Sequence, residues 1–468
     1  MHIKNLGPIK DASINLNELN IFIGKNGTGK TVAAYAIYSF VYWFSNVFEV
    51  ALFDMNDVKR FIHGDSFIVS REHLLENISK NAVNQFNNLD DKYFIDFFNN
   101  EGIYRTNSKI TITPEDVESL VLPAERRQGW FYSWPYVGED EPNQSNSMSV
   151  SNSNDVYNEI LSTYNHESDA IETRAFVVGH GGKLDKAGQD AQINSFEEEG
   201  HRSHVNNLSI VNLSLKNVLF SFSPVYLPAE RIGINVFRSD LNISRLNRSN
   251  NVSAEHNGEY SPKRYPLPIE DYISYVNNKL INRRGGFTNK IFQGNPNAKK
   301  MVKELVPGKF EYHRDIDAVK YKLPNSEGEI DFELLSSSLK SIFGVDLFIK
   351  YNDRGDWLFI DEPEMNLHPA NQVVVANLMY QFLKFDIRSV ISTHSDYFIK
   401  KFINNVLQDR VNNFNFSKKI NVYDFGVNGV RKLNHIFDVD EGIDNFDDTT
   451  NEINAEYYDL LEKLDEEQ

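Results

Sequence analysis

A chain of 468 residues suits about two to three domains, or one large α/β domain carrying insertions. Its 66 acidic and 48 basic side chains, a formal net charge of −18, exclude broad electrostatic capture of DNA and confine any nucleic-acid contact to a local basic patch. The absence of cysteine excludes disulfides and thiolate metal sites and fits a reducing, cytoplasmic setting.

The opening MHIKNLGPIKDASINLNELN has acids and polar groups throughout and no apolar h-region, so no secretory signal is expected. Short alternating segments, MHIKNL and ASINLN, precede the apolar strand LNIFI, a glycine turn and a long helix from Thr31. Residues 1–50 therefore form a strand, loop and helix lobe. The apolar stretch TVAAYAIYSFVYWFSNVFEVALF is broken by Ser39, Ser45, Asn46 and Glu49. It predicts a buried helix, because a membrane span needs roughly 18 uninterrupted apolar residues.

Residues 51–215 shift to Asn, Asp, Ser and aromatics, with a polar loop at 145–155, and predict a globular helical and irregular insertion. Apolar heptads are not sustained there, so long coiled-coil arms are not expected. The region 216–325 opens on a strand-like run, SPVYLPAER. A basic helical and irregular segment follows, containing Arg238, Arg245, Arg248, Lys263, Arg264, Arg283, Arg284, Lys299 and Lys300. Residues 326–435 hold DFELLSSSLKSIFGVDLFIKYNDRGD, the strand WLFI, DEPEMNLHP, a helix, and the strand SVIST before HSDYFI; 436–468 is an acidic, helix-like tail. The pentapeptide LPAER occurs at 122–126 and 227–231, but its flanks do not match and no repeat period follows.

Three stretches carry chemistry. GKNGTGKT satisfies G-x-x-x-x-G-K-[ST] with Gly24, Gly29, Lys30 and Thr31, after a strand and before a helix. With Lys25, Asn26, Gly27 and Thr28 it forms a nest whose N–H groups meet the phosphates of ATP at a helix N-terminus. Lys30 would reach the β and γ phosphates, and the Thr31 hydroxyl would bind Mg²⁺. WLFIDEPE runs an apolar strand into Asp361, the second Mg²⁺ residue, and Glu362, the base that polarises an attacking water. SVISTHS ends another strand on His394, placed to sense or bridge a γ phosphate.

In this order and wording, GKNGTGKT, FIDEPEMNLHP and ISTHS resemble the ABC-type ATPases of the structural-maintenance-of-chromosomes and OLD-like branch. The resemblance covers roughly 1–45 and 325–400. It implies an α/β P-loop NTPase fold, a mixed sheet with flanking helices. It also implies two heads sandwiching ATP in a homodimer or higher assembly. The signature loop reaching the opposite nucleotide would be Ser336, Ser337 and Ser338, with Ser338 where the family usually has glycine, a departure that favours slow hydrolysis. Asn366, Leu367 and His368 would form the D-loop. For the glutamine loop, Gln128 and the Glu230–Arg231 pair are both candidates, and Arg231 reads better as a structural ion-pair partner than as an ATP ligand.

GHRSH at 200–204 has two histidines but no third metal ligand, GHGGK at 179–183 lacks P-loop spacing, and the acids between Asp438 and Asp448 read as a solvated turn. The chain after His394 is shorter than the Toprim domain that OLD-like nucleases append. The leading expectation is thus an ATPase controlling a separate effector, such as a Toprim or HNH nuclease, as in two-gene anti-phage systems of the PARIS, Septu and AbiL types. The alternatives are a DNA-repair or chromosome-handling ATPase that clamps DNA through the segment from Arg231 to Lys303, and an ATP-binding switch with little turnover. No membrane partner is expected.

Overall fold

The structure is a computed structural model that describes residues 1–50, 67–122, 130–135, 157–165, 168–179, 182–183, 216–242, 265–281, 291–292, 295–325, 328–412, 419–426, 429–433 and 454–458. The chain forms two units, one of 1–42, 89–111 and 223–468, the other of 43–88 and 112–222. Elements are numbered here in chain order.

In the first unit, β1 (His2–Leu6) and β2 (Ile9–Ser13) form an antiparallel hairpin, and β5 (Lys109–Thr111) pairs with the other edge of β1. The run from Leu19 to Ile23 is buried at every position, the pattern of a strand covered on both faces. It forms β3 (Leu19–Gly24), inside a six-stranded sheet with β10 (Pro224–Leu227), β14 (Trp357–Asp361), β15 (Arg388–Ser392), β16 (Ile420–Gly426) and β17 (Gly429–Lys432). The order is β10-β14-β15-β3-β16-β17, parallel except for the last pair. Adjacent parallel strands place their carboxyl ends along one edge, where ligands of open α/β sheets bind.

Helices α1 (Lys30–Asn46), α3 (Asp91–Phe98), α5 (Arg231–Val236), α6 (Leu267–Ile281), α7 (Pro296–Leu305), α8 (Ser337–Tyr351), α9 (Pro369–Lys384) and α10 (Asp396–Val411) accompany the sheet. Asn295, Ser336, His368 and Ser395 cap four of them by accepting a backbone N–H, which satisfies a donor the first turn would leave unpaired. Helix α8 is buried from Ser341 through Ile349 and passes so close to α6 that a Cβ on Gly344 would lie 2.7 Å from Tyr272 Oη. A small antiparallel sheet of β11 (Lys309–His313), β12 (Ala318–Lys322) and β13 (Glu329–Asp331) lays Phe310, Tyr312, Val319 and Tyr321 on the same core.

The second unit takes in the end of α1, then β4 (Phe67–Ser70), α2 (Arg71–Asn87), α4 (Pro114–Glu118), β6 (Trp130–Pro135), β7 (Tyr157–Asn165), β8 (Ala170–Gly179) and β9 (Gly182–Lys183). The sequence suggests helical and irregular structure for this stretch; antiparallel pairing of β4-β8-β7-β6 is present as well. Its strands carry interspersed polar and apolar residues, which gives neither a clean period of two nor a helical period. The longest helices among the described residues, α1 and α2, have 17 residues each. None of the described helices is long and apolar enough to cross a membrane.

Candidate nucleotide-binding site

β3 delivers the glycine loop to the carboxyl edge of the sheet between β15 and β16, with Phe22 opposite Ser392 and Gly24 opposite Phe425. Gly24, Gly27 and Gly29 take φ of +126°, +76° and +105°. At Gly24 a side chain is excluded twice, by the positive φ and by the carbonyl oxygen of Phe425, which a Cβ would approach to 2.3 Å. At Gly27 none of the described residues would come within 4 Å of a Cβ, so the loop backbone is open to them on that side.

Lys25 and Asn26 are exposed, and the Thr28 hydroxyl donates to Lys25 O at 2.8 Å, closing the loop on itself. The Lys30 ammonium donates to Gly24 O and Lys25 O, both at 2.8 Å, which holds its charge inside the loop. Burial lowers its pKa to about 8, opposed by the carboxylates of Glu362, Asp361 and Glu364. Thr31 is exposed one position further on. Helix α1 has no acidic residue in its first turn, so the positive end of its dipole faces the loop unneutralised.

Asp361 ends β14 opposite Ser392. One carboxylate oxygen accepts from Tyr226 Oη at 2.7 Å and the other from Ser392 Oγ. Burial raises its pKa to about 6, with the Ser392 and Tyr226 hydrogen bonds pulling the other way. Glu362 follows with φ +46°, a left-handed conformation costly for any residue with a Cβ. Its amide donates to Ser392 O at 2.9 Å, and its carboxylate lies 3.9 Å from His394 Nε2. The imidazole pKa is lowered by burial and by Lys30, against the pull of Glu362, so the ring is neutral near pH 7.

Several residues that build this site carry no motif. Glu364 is buried and accepts from Thr393 Oγ1 at 2.8 Å and from the His394 amide at 2.9 Å, which ties the histidine loop to the DEPE loop. Its other oxygen, Oε2, is buried and has no hydrogen-bond partner among the described residues. Arg231 is 1% exposed and donates to Asp361 O, Glu362 O, Pro228 O, Ser341 O and Ser341 Oγ. The sequence reads Arg231 as an ion-pair partner; its hydrogen-bond acceptors are instead neutral carbonyl and hydroxyl oxygens. The one signal available in sequence is position, since Glu364 is the third acid of DEPE and Arg231 ends LPAER just after a strand.

A second cluster lies on the loops before α8 and α9. Ser336 caps α8 by accepting from Leu339 N at 3.3 Å, Ser337 is exposed, and Ser338 Oγ donates to Asn366 O at 2.8 Å. Asn366 has φ +61°, Leu367 is buried, and His368 Nδ1 accepts from Ala370 N at 3.3 Å as the α9 cap. The structure thus groups Lys30, Asp361, Glu362 and His394 at the sheet edge and joins Ser338 to Asn366. Among the described residues no hydrogen bond links Ser336, Ser337 or Ser338 to the glycine loop of the same chain. Gln128, Arg245, Arg248, Lys263, Arg264, Arg283, Arg284, the 200–204 histidines and the acids between Asp438 and Asp448 lie outside the described residues.

A mostly parallel sheet in which β3 feeds a glycine loop and a helix, while β14, one strand removed across β15, runs into the acidic pair Asp361 and Glu362, defines a P-loop ATPase fold. The family model for the AAA ATPase domain matches residues 1–399, and the chain belongs to that family. Among solved structures, it is similar to the SMC head domain from Thermotoga maritima at 9% identity and TM-score 0.30, over 92% of this chain and 96% of that one. It is also similar to the Smc head domain with an extended coiled coil bound to the C-terminal domain of ScpA, derived from Pyrococcus furiosus. There the identity is 12% and the TM-score 0.32, over 97% of this chain and 98% of that one. None of the curated protein sequences matches the chain.

Proposed function

We propose that the chain binds and hydrolyses ATP at the sheet edge where Lys30, Asp361, Glu362 and His394 converge. That convergence, from three neighbouring strands and their loops, carries the reading. The open backbone at Gly27, the buried ammonium of Lys30 and the uncompensated N-terminus of α1 suit a triphosphate. Thr31 and Asp361 offer the hard oxygen ligands that Mg²⁺ prefers, and that ion, when bound, neutralises charge developing on the phosphates. Lys30 holds the phosphate chain, Glu362 orients a water and takes up its proton, and the neutral imidazole of His394 donates toward the terminal phosphate while staying beside Glu362.

Assembly follows the same logic. Ser336, Ser337 and Ser338 stand at the N-terminus of α8, with Ser336 and Ser337 exposed and Ser338 joined to the Asn366 loop. A second copy would bring its serines to this nucleotide, with Asn366, Leu367 and His368 beside them, and closure would pass a signal to a separate effector in anti-phage defence. Release of phosphate by the parent, its loss in Glu362→Gln, and loss of nucleotide binding in Lys30→Ala test the reading. Unchanged affinity in Lys30→Ala would contradict it.

A second reading, direct DNA contact, draws on a cleft of about 490 Å³ bordered by Lys299, Lys303, Lys309 and Lys350. Salt-dependent DNA binding that weakens in Lys299→Glu with Lys303→Glu would favour it; no binding at low salt would exclude it.

A further inference from the structure

We propose that Arg231 is the positioning residue for Glu362, and that through it the seating of helix α8 sets where the Glu362 carboxylate points. This rests on the reading of Glu362 as the base. The backbone conformation of Glu362 is fixed by the two peptide planes that flank its Cα. The first contains the carbonyl of Asp361 and the second the carbonyl of Glu362. Arg231 Nη1 donates to the first and Nη2 to the second, both at 2.7 Å, so one rigid guanidinium plane holds both peptides. This is the point where the chain turns through φ +46°. The left-handed turn is costly without such a restraint, and charge-assisted hydrogen bonds are the strong kind.

The other three N–H groups are also committed. Nε donates to Ser341 O at 3.0 Å, Nη2 to Ser341 Oγ at 3.0 Å and Nη1 to Pro228 O at 3.1 Å. The fork therefore spans from the first turns of α8 to the DEPE loop, and α8 is the helix that opens on Ser336, Ser337 and Ser338. A shift of α8 moves Ser341, and with it the plane that holds Glu362. Arg231 is almost wholly buried, so it acts through Glu362. A lysine would keep the charge but has no planar fork to hold two carbonyls at once.

The test is Arg231→Lys in two backgrounds, parent and Glu362→Gln, with amide hydrogen exchange at Glu362 measured alongside ATP turnover. The expected result is a kcat lower by about 10- to 100-fold with KM changed less than about twofold, and no additional loss in the Glu362→Gln background. Exchange at the Glu362 amide, which donates to Ser392 O, should quicken by about tenfold or more. An equal fold-loss in both backgrounds, or unchanged exchange, would overturn the proposal. Should Arg231→Lys not fold, Ser341→Ala removes a single acceptor. A kcat loss of about threefold, absent with Glu362→Gln, is then expected, and no change would overturn the link to α8. If the parent turns over no faster than Glu362→Gln, the hydrolysis reading fails, and exchange at Glu362 decides the clamp alone.

Discussion

Tyr226→Phe removes one oxygen from the core of the site and little else. The ring sits edge-on to Tyr35 and Tyr38, with centroids 5.0 and 5.3 Å away, and stacks on Phe359 at 5.9 Å, contacts that phenylalanine keeps. What is lost is the hydrogen bond to Asp361 Oδ2, leaving a buried carboxylate oxygen without its donor. The Asp361 pKa rises from 3.8 to about 6 on folding, worth about 3 kcal/mol. Because the folded value is the higher one, this group's contribution is fully present below pH 3.8 and is lost as pH rises through about 6. Removing a donor to the ionised form raises the folded pKa further, so the variant loses more on the same rise. The stability gap between parent and Tyr226→Phe should therefore be about 1 kcal/mol at pH 5 and about 2–3 kcal/mol at pH 8. Urea unfolding of both proteins at the two pH values measures it. A gap independent of pH would refute the reasoning, because the hydroxyl would then not be supporting a charge.

Gly24→Ala should cost at least about 2 kcal/mol and abolish ATP binding, since it adds a clash with Phe425 O to an unfavourable φ. Gly27→Ala should cost only about 1 kcal/mol from φ alone. Thermal melts and nucleotide titrations compare them, and equal losses would remove the close-approach argument. Gly344→Ala should destabilise by about 1–3 kcal/mol despite alanine's higher helix propensity, because the methyl meets Tyr272 Oη, which is fixed by a hydrogen bond to Asn235 Oδ1. Tyr272→Phe should recover part of that loss in the double variant.

Lys216, buried in the second unit, donates to Phe44 O and Phe48 O, and burial lowers its pKa to about 8. Its folded pKa lies below the unfolded 10.5, so the cost of holding it charged, about 3 kcal/mol, is fully present below pH 8 and is relieved as pH rises toward 10.5. Stability of the parent should thus rise relative to Lys216→Met between pH 8 and 10.5, measured by urea unfolding; a constant difference would contradict it.

The α/β P-loop fold was legible because its signals are local: an apolar run, a glycine loop of fixed spacing and a helix follow one another between Leu19 and Asn46. The order of strands was not, because Leu19–Gly24 pairs with strands that begin 369 and 401 residues later, at Arg388 and Ile420. The closeness of His394 to Glu362 depends on that order, whereas the sequence alone places His394 only at the end of another strand. Arg231 was harder still. Its acceptors lie up to 131 residues away, and four of the five are backbone carbonyls, which every residue type carries alike. Glu364 acts by accepting from the loop that follows β15 and Tyr226 by donating to the end of β14, and a composition or spacing pattern contains no trace of such pairings.

The most direct measurement is the rate of phosphate release from ATP by the parent and by Glu362→Gln, with nucleotide binding measured on the same samples. Glu362→Gln keeps the backbone, the size of the side chain and the contacts of Arg231 but removes the base. It should bind ATP as the parent does and release phosphate slower by about two orders of magnitude or more. Equal rates in the two proteins, with binding intact, would contradict the assignment of Glu362 and of the sheet edge as the site of hydrolysis.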